Sequence, residues 1–151
     1  MQIGVIGGSR CSPEIAELAE EVGREIGKRG AVLICGGLGG VMEFASKGVK
    51  EAGGLTIGIL PGRSREEANA YIDVPIVTGM GHARNVIIAH SSDSMIAISG
   101  EHGTLSEIAI GLKLQKTIIG LNTWDIEGVI KVKTPAEAVE KAMRVSERRD
   151  V

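Results

Sequence analysis

Aromatic residues are almost missing from this 151-residue sequence: it has one Phe, one Trp and one Tyr. A ligand ring is therefore not expected to lie in an aromatic box, and its recognition falls to backbone and aliphatic contacts. Only two cysteines occur, Cys11 and Cys35. They make no disulfide framework and stand in no metal-ligand spacing, which points to a reducing, cytoplasmic compartment. No apolar run approaches the roughly 18 residues of a membrane span. The opening MQIGVIGGSR lacks the basic start and long apolar stretch of a signal peptide. A basic excess is absent too: 17 Lys and Arg against 19 Asp and Glu leave a net charge of −2. Neither nucleic acid nor a membrane is the expected partner. His82 and His102 have no third ligand at a fitting spacing, so no metal is expected.

Glycine, by contrast, is abundant, at 22 residues, about twice its usual share. The length suits one compact domain over residues 1–151. Apolar and amphipathic stretches alternate throughout. QIGVIG (2–7), AVLIC (31–35), LTIGIL (55–60), VPIV (74–77), SMIAIS (94–99) and TIIGL (117–121) read as strands. They are short, β-branched and nearly continuous in apolarity, as strands covered on both faces must be. Between them, helices are expected from Pro13 to Gly30 behind a Ser12 cap, and over about 39–52, 82–91 and 104–115. A single turn follows Ser64, and Thr134, Pro135 and Glu137 open a last helix toward Arg148. Repeated strand–helix units predict an α/β, three-layer, doubly wound Rossmann-like fold with a mostly parallel sheet of six or seven strands.

On that map the glycines collect at strand ends. Gly7 and Gly8 follow the first strand, Gly36, Gly37, Gly39 and Gly40 the second, and Gly100 and Gly103 the fifth. Open α/β sheets bind ligands outside the carboxyl ends of their strands. Helix N-termini open on the same edge, where free amides favour an anion. A small phosphorylated ligand is the expected partner, with Ser9, Arg10 and His82 also within its reach. Tight βα turns alone would account for any one of these glycines. GGLGGVM is not a dinucleotide fingerprint, since Met42 holds its sixth position, and no P-loop occurs.

Three segments together carry a resemblance. CGGLGGVMEFASKG (35–48) is similar to the GGG-x-x-G-LM stretch of the Lonely Guy (LOG) proteins, once labelled lysine decarboxylases. GHARN (81–85) resembles their MH-x-RK segment, and SGEHGTLSE (99–107) their PGG-x-GT-x-x-E signature. The resemblance implies Rossmann-like dimers or larger homo-oligomers that cleave the N-glycosidic bond of nucleoside 5′-monophosphates. It puts Arg84 and Glu107 on the catalytic Arg and Glu, and Gly100, Gly103 and Thr104 in the phosphate-binding turn. Such chemistry is coherent, because a carboxylate can stabilise an oxocarbenium-like ribose and position a water.

Ser99-Gly100-Glu101 stands where the family has Pro-Gly-Gly, and Asn85 where it has Lys. With ARN and GTLSEIAIGLKL, the chain resembles a sister branch that includes the molybdenum-cofactor carrier proteins, which bind a phosphorylated pterin without turning it over. That branch implies a carrier or sensor with no required cofactor and the molybdenum cofactor as its carried ligand. The LOG-type phosphoribohydrolase is the alternative. No lysine lies in a cofactor-anchoring motif, so decarboxylation is not expected.

Two questions stay open at this level. Thr104 and Glu107 have the T-x-x-E spacing of a capping box, so Glu107 either caps its helix or faces a ligand. Arg84 either meets a phosphate or forms a structural salt bridge. The helix over 104–115 is apolar on more than one side, with Leu105, Ile108, Ala109 and Leu112 on one and Ile110 and Leu114 on another. A second apolar patch of this kind suggests a subunit interface and a symmetric dimer.

Overall fold

The computed structural model describes residues 1–147. Seven strands, all parallel, form one sheet in the order β4-β3-β2-β1-β5-β6-β7. They are β1 (Gln2–Gly7), β2 (Val32–Cys35), β3 (Leu55–Leu60), β4 (Val74–Val77), β5 (Ser94–Ile98), β6 (Thr117–Leu121) and β7 (Val129–Val132). Helices α1 (Pro13–Lys28), α2 (Val41–Glu51) and α5 (Pro135–Glu147) cover one face; α3 (Asn85–Ser91) and α4 (His102–Lys113) cover the other. This is the expected three-layer Rossmann-like architecture. The expected end of the last helix at Arg148 lies outside the described residues.

Period-two alternation sorts side chains between the two cores. Ile3, Val5, Ile96 and Ile98 point toward α1, α2 and α5, while Ile6, Met95 and Ala97 point toward α3 and α4. Because both faces are covered, the central strands read as unbroken apolar runs. Pro75 is tolerated because β4 is an edge strand paired only with β3. The other edge strand, β7, carries no periodicity of its own: its four residues include an exposed Lys131.

Helix ends follow local chemistry. Ser12 accepts from the Ile15 amide at the start of α1, with Pro13 at its first turn. Thr134 Oγ1 accepts from the Glu137 amide at the start of α5. Among the described residues, no helix is long and apolar enough to cross a membrane. Strand order turns back between β1 and β5, and that switch point positions the site.

Candidate functional site

A cleft of about 240 Å³ opens at the carboxyl ends of β1 and β5. Gly7, Gly8 and Ser9 form one wall, and Leu38 and Met42 another. His82, Arg84 and Asn85 face them, and Glu101, Gly103, Thr104 and Glu107 close the cleft from the start of α4. Arg10, Gly36, Gly37, Gly39, Gly40 and Gly100 stand outside this lining. A wider groove of about 770 Å³ lies along α1, but Glu14, Glu17, Glu20 and Glu21 line it against a single Arg24, already paired to Glu20 and Glu21, and this acidic excess would repel an anion.

The glycines outside the lining serve the protein's own close approaches. Gly40 has φ +62, and a Cβ there would lie 2.3 Å from the Gly8 oxygen. The Val41 amide, the first of α2, donates to that same Gly8 oxygen at 3.0 Å. This helix N-terminus is thus engaged by the β1 loop. At Gly36 a Cβ would lie 2.8 Å from Arg84 Nη2, so the missing side chain is what lets the guanidinium sit against β2.

The β5–α4 turn answers the capping question. Ser99 has φ 48 and Gly100 φ 105, which turns the chain sharply into Glu101. Glu101 is the N-cap, without a side-chain cap bond, and α4 begins at His102. Thr104 is then the third helical residue and Glu107 the sixth, a full turn too deep for a capping box. The capping reading is therefore corrected: the left-handed pair at 99–100 starts the helix two residues before its expected start at 104. The first amides of α4 are left facing the cleft, with Gly103 exposed.

Among the described residues, two buried polar atoms on the cleft walls have no hydrogen-bond partner: Arg84 Nε and Thr104 Oγ1. Arg84 is 6% exposed and Thr104 2%. Arg84 Nη1 donates to Asn85 Oδ1, and Arg84 makes no ion pair among the described residues. Burial lowers the Arg84 pKa, while the Glu107 charge opposes that fall. Burial pushes the half-buried Glu107 carboxyl up to about 7, with Arg84 pulling the other way. Cys35, fully buried beneath the cleft, is raised by burial, and Cys11 by burial and Glu43, so neither is an activated thiolate. Among the described residues no three His, Cys, Asp or Glu side chains gather as a metal site requires.

Residues 1–149 match the SLOG cluster4 family. The chain belongs to that family. This SLOG cluster4 chain is 52% identical over 140 residues to an uncharacterized protein of Archaeoglobus fulgidus, covering 92% of each. It is 38% identical over 99 residues to the cytokinin riboside 5′-monophosphate phosphoribohydrolase of Mycobacterium tuberculosis. That match takes in 63% of this chain and about half, 52%, of the mycobacterial protein. Among solved structures, the molybdenum cofactor binding protein of the phototrophic bacterium Rippkaea orientalis superposes with a TM-score of 0.91 at 39% identity, covering 96% of both chains. The SLOG cluster4 chain is thus LOG-like, on the branch close to the molybdenum-cofactor carrier proteins.

Sequence reasoning had no handle on Leu38 and Met42 as lining residues, since an apolar residue in a glycine turn carries no chemical signal. Thr104 carries a direct test. A buried hydroxyl without a partner costs about 1–3 kcal/mol. Thr104→Val should therefore raise stability by about 1 kcal/mol, a rise of about 2–4 °C in Tm. Melts repeated with inorganic phosphate should show the opposite cost, an affinity roughly tenfold weaker, about one lost hydrogen bond to a charged group.

Proposed function

We propose that this chain binds a small phosphorylated ligand of nucleotide or pterin type across the β1/β5 cleft and acts as a carrier or sensor, with the molybdenum cofactor as cargo. One observation carries the reading: Arg84 Nε and Thr104 Oγ1 are buried donors without partners among the described residues, and both residues line one cleft. Buried polar atoms in native proteins are nearly always paired, so an orphaned pair in a cleft fits an acceptor supplied by a ligand. The exposed start of α4 adds free amides and the positive end of a helix dipole. A phosphate monoester satisfies all of these at once. The cargo's phosphate end would be held by Arg84, Thr104 and the α4 amides, beside Gly7, Gly8 and Ser9.

The likeness to the Rippkaea orientalis protein supports the carrier role. The second reading, a phosphoribohydrolase, is favoured by one feature: Glu107 lies in the cleft with its pKa near neutrality, where a carboxylate can position water. We further propose that the chain folds as one domain and works as a symmetric homodimer or higher homo-oligomer. The half-buried Leu105 of α4 and the exposed Val86 of α3 support that assembly, whereas Ile110, Leu112 and Leu114 pack against the chain's own core.

Native mass spectrometry of the purified protein, before and after incubation with AMP, tests both points. An oligomer retaining a phosphorylated heterocycle, with no adenine released, is the expected result. Release of adenine establishes the hydrolytic reading instead, and a bare monomer overturns the proposal.

A further inference from the structure

The only tryptophan of the chain sits beside the cleft. Trp124 follows β6 and is 38% exposed, so part of its ring is open to solvent. It is nonetheless held. Its Nε1 donates to the Glu101 carbonyl at 3.3 Å, and its ring lies 6.3 Å from that of His102, tilted by 35°. Thr123 Oγ1 donates to the Ser99 carbonyl at 2.6 Å, tying the β6 loop to the turn that starts α4. Two non-glycine residues in left-handed backbone, Ser99 and Asn122, bracket this junction. Such strain persists only where the surroundings hold it in place. The indole is thus anchored to the same turn that carries Thr104 and Glu107.

Beside Trp124 lies a second cleft of about 190 Å³, with Asn122, Thr123, Asp125 and Lys131 in its walls. It opens at the ends of β6 and β7, next to the phosphate cleft at β1 and β5. Neighbouring strands are about 5 Å apart, so the β1/β5 and β6/β7 pairs lie roughly 10 Å apart along the sheet. The Trp124 bond to the Glu101 carbonyl links the two clefts, since Glu101 lines the first and Trp124 the second, and one phosphorylated heterocycle could lie along these strand ends. An indole face offers a sequence-tolerant platform for any flat ring, and the Asn122 amide has both a donor and an acceptor for a ring edge.

We propose that Trp124 is the ring platform of the ligand, stacking on a purine or pterin in the β6/β7 cleft while the phosphate meets Arg84 and Thr104. The proposal rests on the phosphate reading above and extends it to the other end of the same molecule. Trp124 is a specificity residue: it selects phosphorylated heterocycles over bare sugar phosphates.

A lone tryptophan also reports its own occupancy. The parent, Trp124→Ala and Trp124→Phe are titrated with AMP and with ribose 5-phosphate by calorimetry, and the parent by intrinsic fluorescence. AMP should change the emission, and ribose 5-phosphate should leave it nearly unaltered. Trp124→Ala should lose AMP affinity tenfold or more, read as KM if AMP is turned over, with ribose 5-phosphate affinity unchanged. Trp124→Phe should keep most of it. Equal losses for both ligands, or no loss for AMP, overturn the platform while leaving the phosphate site intact. A parent that binds neither ligand overturns both proposals.

Discussion

Glu107→Gln should raise the melting temperature at pH 8 by roughly 5–10 °C and leave it unchanged near pH 4. The physical cause is the gap between the ordinary carboxyl value of 4.5 and the value of about 7 that burial imposes on Glu107. At about 1.4 kcal/mol per pH unit, that gap is worth about 2–3 kcal/mol after allowance for partial exposure. Below pH 4.5 the folded and unfolded chains both hold the proton, and the carboxyl contributes nothing to the pH dependence. Between pH 4.5 and 7 the unfolded chain releases it while the folded chain keeps it, so the parent loses stability as pH rises. Above pH 7 both are ionised and the loss is complete. Glutamine never ionises, so its advantage grows across that window and then levels off. Thermal melts at several pH values check this, and curves that run parallel would refute it.

The same ionisation governs the ligand. Neutral Glu107 can donate a hydrogen bond to a phosphate, and the carboxylate repels one. Phosphate affinity in the parent should fall as pH climbs through about 7, and more steeply than in Glu107→Gln, where only the ligand's own ionisation remains. Arg84 faces the same space and stays charged throughout the window, and burial raises the thiol of Cys35 beneath it. If the hydrolytic reading holds, activity runs the other way, rising as Glu107 ionises and vanishing in the glutamine protein. The two functions are thus separated by the sign of one pH profile.

Gly48→Ala should destabilise the protein by about 3 kcal/mol, and Gly103→Ala by nothing. Gly48 of α2 and Gly23 of α1 each face the other helix's backbone. A Cβ at Gly48 would lie 1.9 Å from the Glu20 oxygen, and one at Gly23 2.0 Å from the Ala45 oxygen. A carbonyl oxygen in a helix cannot rotate away, so the helices must part. Overpacking of this kind costs about 1–3 kcal/mol or more, well beyond the roughly 1 kcal/mol that alanine gains in helix propensity. Parting α1 from α2 also pulls apart Lys47 and Glu20, and Arg24 and Glu51, which bridge the pair. At Gly103 nothing lies within 4 Å of the added carbon, so only the propensity gain remains. Denaturant melts of the two variants side by side test the contrast. Equal stabilities would show that the helix crossing is looser than these distances.

Much of this molecule was legible from local pattern. The apolar runs of β1, β5 and β6 are continuous because helices cover both faces, and that continuity is itself a sequence signal. Arg84, Thr104 and Glu107, which line the cleft, were marked in the sequence by the resemblance of GHARN and SGEHGTLSE to the LOG motifs. Other features left no local trace. β7 became a strand only because β6 offered it a free edge. The GGLGG turn reads like an anion cradle, yet Gly40 makes room for the β1 loop and Gly36 makes room for Arg84. The T-x-x-E spacing reads like a cap because spacing cannot show where a helix starts; the left-handed turn at Ser99 and Gly100 decides that.

By itself, then, the sequence determined the alternation of strand and helix, the parallel three-layer fold and the edge on which the cleft opens, since each follows from periodicity and from what glycine permits. Only the tertiary structure decided which glycines face the cleft, that Arg84 Nε and Thr104 Oγ1 lack partners among the described residues, and that burial pushes Glu107 up to about 7. Those properties depend on burial and on contacts between residues distant in the chain, which no local spacing encodes.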